Sequence, residues 1–222
     1  MGSSVTTRPV AEAAPTDTLP AKDYTIIAPS PQHADIQVYT SGNSPGAAPA
    51  HRSVRTVDVL PYAEYVASLP RKRMSAGILL HDDAGRVVLV EPSYKTTWEV
   101  PGGVVEAGEA PWHAASRELT EELGLVRERM RLLVVDHLPA RDDGMPEGVA
   151  WIFDGGHVRE QDLTTFDLDA AEITSAGLYR PEEVRDRTTL RLARRLVIAL
   201  AAARQGTGPV LCDDGVPTSR RP

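Results

Sequence analysis

The stretch Gly103–Leu125, GVVEAGEAPWHAASRELTEELGL, decides how this chain is read. Its centre predicts a helix over Pro111–Leu123, closed by Gly124 in the left-handed position and by Leu125 packing back on the last turn. At about 100° per residue, Glu118 and Glu122 stack one turn apart and Glu121 lies beside them, so three carboxylates share a sector of about 100°. Like charges at that spacing repel unless a cation sits among them, and a hard divalent ion such as Mg²⁺ suits an all-oxygen cluster. Arg117 reaches Glu121 one turn on and can hold it in place. Trp112, Ala115, Leu119 and Leu123 form the apolar side, which packs on a sheet and turns the acidic face outward. Upstream, Gly102 and Gly103 carry no side chains, so the backbone can approach a ligand and lend a carbonyl oxygen to a metal.

Before this stretch, Ala76–Leu80 and Val87–Val90 are apolar β-prone runs separated by the turn composition of residues 81–85, a hairpin. Trp98–Val100 reads as a further strand leading into a Gly-rich loop over 101–108. After it, Arg131–Leu138, Gly148–Val158 and Ile173–Tyr179 read as strands, and Ala140–Glu147 as an acidic loop. Pro181–Val184 makes a helical turn, and Leu190–Ala203 an amphipathic helix with Arg191, Arg194 and Arg195 on its solvated side. Strands interrupted by helices predict an α/β layered core. Four segments result: a loosely ordered stretch over 1–53 with seven prolines, a short helical lead-in over 54–73, the domain over 74–203 and a tail over 204–222. Within the first, 24–27 and 35–39 read weakly as strands.

Composition narrows the function. The 222 residues are 41% apolar and 25% charged, as in soluble globular proteins, and suffice for one ordinary domain plus tails. The net charge of −7, with scattered positives, lacks the cationic face that binds a phosphate backbone, so no nucleic-acid polymer is expected as partner. No apolar run approaches the roughly 20 residues of a membrane span. The single cysteine, Cys212, cannot form an internal disulfide, and residues 1–20 lack a secretory leader, which together predict a cytoplasmic location.

A run of glutamates on a helix is ordinarily a solvated face. Here, however, the pattern G-x5-E-x7-R-E-U-x-E-E-x-G-U, with U apolar, fixes seven residue types and two apolar places. Its chance occurrence in a chain this long is below about one in a million. The pattern resembles the signature of the Nudix hydrolases without a departure across Gly103–Leu125, and the flanking Trp98–Gly103 and 173–184 resemble that family more loosely. The resemblance implies an α/β/α sandwich with a mixed β-sheet and a metal-dependent pyrophosphohydrolase acting on a nucleoside diphosphate linked to another group. It places Glu118, Glu121 and Glu122, with the carbonyl of Gly102, on Mg²⁺ or Mn²⁺. Arg117 would orient the glutamates, Glu109 would support the loop and helix start, and the family leaves open whether the position of Glu118 or a glutamate outside the box takes the proton. Outside the box, Glu99, Glu147 and Glu172 are candidates for a further base or ligand, and Trp98 and Tyr94 for stacking on a base. His137 reads as structural.

Three alternatives stay open: a nucleotide-derivative sensor on the same fold, a hydrolase of prenyl diphosphates, and the isomerase branch that uses a cysteine. An intact box disfavours the sensor, and Cys212, read as lying in the tail, is badly placed for the isomerase. The implied partner is a small-molecule diphosphate, with a homodimer left open.

Overall fold

The computed structural model describes residues 60–220; the expectations for residues 1–53, including both weak strands, lie outside them. The chain divides into Met1–Leu69 and Pro70–Pro222. In the first unit, Pro61 precedes α1 (Tyr62–Ser68), which buries none of its residues.

The second unit is built on one sheet of eight strands. These are β1 (Arg73–His81), β2 (Val87–Pro92), β3 (Gly102–Val104), β4 (Arg131–Leu138), β5 (Gly148–His157), β6 (Ile173–Tyr179), β7 (Val210–Asp213) and β8 (Val216–Pro217). The order is β6-β2-β1-β5-β4-β7-β8, with β3 paired to β1. Pairing is parallel between β1 and β5 and between β4 and β7, and antiparallel elsewhere. Helix α2 (Pro111–Leu123) lies between β3 and β4, while α3 (Pro181–Arg187) and α4 (Leu190–Gln205) follow β6.

Two apolar layers, one on each face, make this a sandwich. Ala76, Ile78, Leu80, Val88 and Val90 pack with Ala115, Leu119 and Leu123 of α2. The intervening Leu79, Val87 and Leu89 pack with Leu192, Leu196 and Ala199 of α4. Both faces being covered, β1 and β2 read as continuous apolar runs rather than alternating ones. Each fully buried leucine contributes about 1.5–3 kcal/mol relative to exposure, which is why the helices dock by their stripes. Thr189 caps α4 by accepting from the Leu192 N–H at 3.3 Å, and Gly124 and Gly206 close α2 and α4 with φ of 66° and 64°. No helix among the described residues is long and apolar enough to cross a membrane.

Several expectations are corrected. The segment read as a tail supplies β7 and β8, which extend the sheet beyond β4 and bury Cys212. Four residues of β-prone sequence, Val210–Asp213, suffice because β4 offers them an edge to pair with. Trp98–Val100 forms only an isolated bridge between Glu99 and Val90, while the loop after it contributes β3. Trp112 is 55% exposed, although its helical phase matches the buried stripe. Side chains tilt toward a helix N-terminus, so a first-turn residue reaches toward the helix end, where residues 106–108 are themselves exposed. Arg195 leaves the solvated side altogether and is 8% exposed. Its phase lies about 60° from Leu192, inside the stripe that faces the sheet.

Candidate active site

Helix α2 docks so that its acidic residues divide. Only Glu121 stays in solvent; Glu118 and Glu122 turn under β3, which corrects the expectation that the acidic face points outward. Arg117 is the hub. Its Nε and Nη2 donate to Glu109 Oε1 and Oε2 at 2.9 and 3.0 Å, a bidentate pair. Its Nη1 donates to Glu118 Oε1 at 2.9 Å and to Glu121 Oε2 at 2.8 Å. Glu109 also accepts from the Glu106 N–H at 3.0 Å, which pins the loop ahead of α2. The guanidinium of Arg117, and after it that backbone bond, hold the Glu109 carboxyl down at about 2. Arg117 is in turn raised above its ordinary value, chiefly by Glu109.

Glu122 has a different environment. It is 7% exposed, and its Oε2 accepts from the Gly102 N–H at 2.8 Å. Burial pushes its carboxyl up to about 8, and the charges of Glu118, Glu172 and Glu99 add to the rise. Burial likewise raises Glu118 against the pull of Arg117. Gly102 has φ of 139°, and a Cβ there would overlap the Ala76 carbonyl oxygen; a Cβ on Gly103 would run into the Glu118 carboxylate. Gly102 is thus required for β3 to lie over the glutamates, and Gly103 leaves room for the Glu118 carboxylate. Gly102→Ala is expected to cost about 2 kcal/mol in urea unfolding, through strain at positive φ and a backbone collision. A change within about 0.5 kcal/mol would show that the loop moves freely.

The sequence candidates outside the box separate in space. Glu99, ion-paired with Lys95 at 2.8 Å, lines a cleft of about 250 Å³ together with Glu122, Gly102 and Tyr94. Glu172 lies near enough for its charge to raise Glu118 and Glu122. Glu147 is turned to Lys72 at 2.7 Å and His137 at 3.6 Å, and is absent from the cleft. Trp98 packs edge-on against Tyr179 at 5.1 Å in the α4 layer instead of lining the cleft. Cys212 is away from the cleft too, and burial pushes its thiol up to about 11. A larger hollow, about 1030 Å³, runs along α3, α4 and β8 and contains no box residue. Among the described residues no three carboxylate, imidazole or thiol side chains stand as a ready-made ion site, because Arg117 occupies the space between Glu118 and Glu121. The donor chemistry nevertheless fits a hard cation: every donor is oxygen, and Glu122 is buried with a raised carboxyl and no cation of its own.

Sequence reasoning missed a second buried polar group, Asp136 with Arg195, whose Nε and Nη2 donate to Asp136 Oδ2 at 3.0 and 2.8 Å. Arg195 lines the same cleft as Glu122. The signal was there, as one aspartate inside the apolar run of β4 and one arginine inside the buried phase of α4.

Comparison with known proteins identifies the family. The chain is similar to a MutT-like protein of Streptomyces ambofaciens, 32% identical over 135 residues, covering 60% of this chain and 77% of that one. It is 39% identical over 61 residues to the RNA pyrophosphohydrolase of Pseudomonas fluorescens strain SBW25; that match spans 28% of this chain and only 38% of the relative's length. Among solved structures, a MutT NUDIX hydrolase from Burkholderia pseudomallei superposes with a TM-score of 0.46 at 24% identity, over 60% of this chain and 98% of that one. The family model for the NUDIX domain matches residues 71–201, from the start of the sheet to the last turns of α4, and by that match the chain belongs to the Nudix hydrolase family.

Proposed function

We propose that the chain hydrolyses a diphosphate bond in a nucleoside diphosphate linked to another group, by attack of water on phosphorus with Mg²⁺ or Mn²⁺ bound. The observation that carries this is the lattice of Arg117 with Glu109, Glu118 and Glu121 set beside a buried Glu122 tied to Gly102. Glu118, Glu121, Glu122 and the Gly102 carbonyl would hold the ion, which when bound would neutralise diphosphate charge and lower the pKa of a water. Arg117, anchored by Glu109, holds one oxygen each of Glu118 and Glu121 through the same Nη1. The Gly102 amide fixes the direction of Glu122. Glu99 lines the approach to this cluster. A cation reverses the local sign, so a chain of net charge −7 can bind an anionic substrate. The reading keeps the substrate small and the protein cytoplasmic.

The test is a panel of nucleoside diphosphate derivatives, a prenyl diphosphate and a 5′-triphosphate RNA, incubated with Mg²⁺ in oxygen-18 water and read by mass spectrometry. Release of a labelled phosphate monoester from a small nucleotide derivative, abolished by EDTA, is the expected result. Turnover unchanged in EDTA, or none on any compound while the protein is folded, overturns the reading.

A further inference from the structure

The cleft has a polar end that the box residues do not explain. In the sheet register, Ser75 of β1 lies beside Ala150 of β5, and Ala150 beside Asp136 of β4, while Gly77 lies beside Ile152. Ser75 and Ala150 are small and adjoining, which leaves room in the floor beside them, whereas the space over Gly77 is taken by Val100 and Ile152, which with Leu192 wall the cleft. Arg195 closes it. That side chain comes from α4, is 8% exposed, and gives Nε and Nη2 to Asp136, which is itself fully buried. Asp136 in turn accepts from the Gly215 N–H at 3.0 Å, so the turn between β7 and β8 locks the pair from behind. Nη1 of Arg195 donates to no acceptor among the described residues.

A guanidinium so placed is held by two bonds, belongs to a residue that lines the cleft, and has one amino group, Nη1, with no acceptor among the described residues. Nη1 is not among the fully buried polar atoms that lack a partner, so it stays open to water, and a ligand that supplies an acceptor takes that water's place. The partner's chemistry follows from charge. Arg195 and Asp136 together carry none, which gives little attraction for a phosphate dianion but suits a neutral oxygen. The aliphatic walls suit the apolar face of a ring. Glu122 and Gly102 of the box region line the same cleft.

We propose that Arg195 donates from Nη1 to the carbonyl oxygen of a nucleobase seated in this hollow, so that the chain selects nucleotides with a keto base over those with an amino group at that position. This rests on the reading of the chain as a hydrolase of nucleoside diphosphate derivatives and names the base class of that substrate. An exocyclic amino group presents a donor where Arg195 needs an acceptor, and such a mismatch is worth about tenfold.

IMP and AMP differ at position 6 in this sense and serve as probes, titrated by NMR in EDTA so that no metal or turnover is involved. Wild type is expected to bind IMP about tenfold more tightly than AMP, and Arg195→Lys to lose that preference by weakening IMP alone. Lysine keeps a positive charge against Asp136, and a thermal melt checks that the fold survives. Equal affinity of wild type for the two nucleotides, or equal weakening of both in the variant, overturns the proposal. Nuclear Overhauser contacts from the base protons of IMP to the methyls of Ile152 and Leu192 in wild type are expected independently of any variant, and their absence overturns it as well. Loss of hydrolysis across the substrate panel would sink the hydrolase reading while leaving these binding results intact, so the two failures are distinct.

Discussion

Glu122→Gln is expected to lower kcat/KM in Mg²⁺ by on the order of a hundredfold to a thousandfold, with no loss of thermal stability in EDTA. Both signs come from one location. Glutamine keeps an oxygen for the Gly102 N–H at the same place, so β3 stays tied to α2. It drops the charge that burial penalises, and with it the anionic oxygen a divalent ion requires. A variant that retains wild-type activity would remove Glu122 from the ion's ligands. A variant that melts well below wild type would show that the negative charge itself supports the fold.

The same carboxyl sets a pH dependence. In the unfolded chain it titrates near 4.5 and in the folded protein near 8, so between those values the folded state holds more protons than the unfolded one. Stability is then greatest on the acid side of this window and falls as pH rises through it. Metal-free wild type is expected to lose melting temperature from about pH 5 to about pH 8, and Glu122→Gln to lose less over the same range. Saturating Mg²⁺ should narrow the difference at the alkaline end by restoring a counter-charge.

The box was legible because its chemistry is local. Glu118, Glu121, Glu122 and Arg117 sit within one and a half turns of a single helix, and helical geometry alone brings Arg117 to Glu121. The bidentate grip of Arg117 on Glu109 spans eight residues and needs the loop to fold back, which helical geometry alone does not supply. What composition could not show was how deep the acidic residues sit. Burial of Glu118 and Glu122 depends on β3 lying across them, and β3 pairs with β1, a strand some thirty residues earlier. The tail was misread for the same reason. Val210–Asp213 has no pattern of its own to speak of; its neighbour β4 lies over seventy residues upstream, and only that edge makes it a strand. Three arginines in one helix suggest a solvated face, whereas the phase of each separately puts Arg195 with Leu192 and Leu196.

Asp136→Ala is expected to cost about 3–5 kcal/mol, because it strands the buried Arg195 guanidinium without a counter-charge. For a folded unit of this size that is a fall in Tm of roughly 10 °C. The effect exceeds that of an exposed ion pair because Asp136 is fully buried and Arg195 nearly so, and water cannot replace the lost partner. A second loss adds to it: the Gly215 N–H gives up its acceptor, which loosens the β7–β8 turn against β4. Joint replacement, Asp136→Leu with Arg195→Met, is expected to recover most of the stability, since exchanging a whole buried pair for apolar groups of similar size is often neutral. The recovered protein should then lose its preference for IMP over AMP while keeping the box intact. Stability and base selectivity would thereby be separated in a pair of residues that serves both, and a single substitution at Asp136 costing less than about 1 kcal/mol would show that the pair is not closed to water as the structure has it.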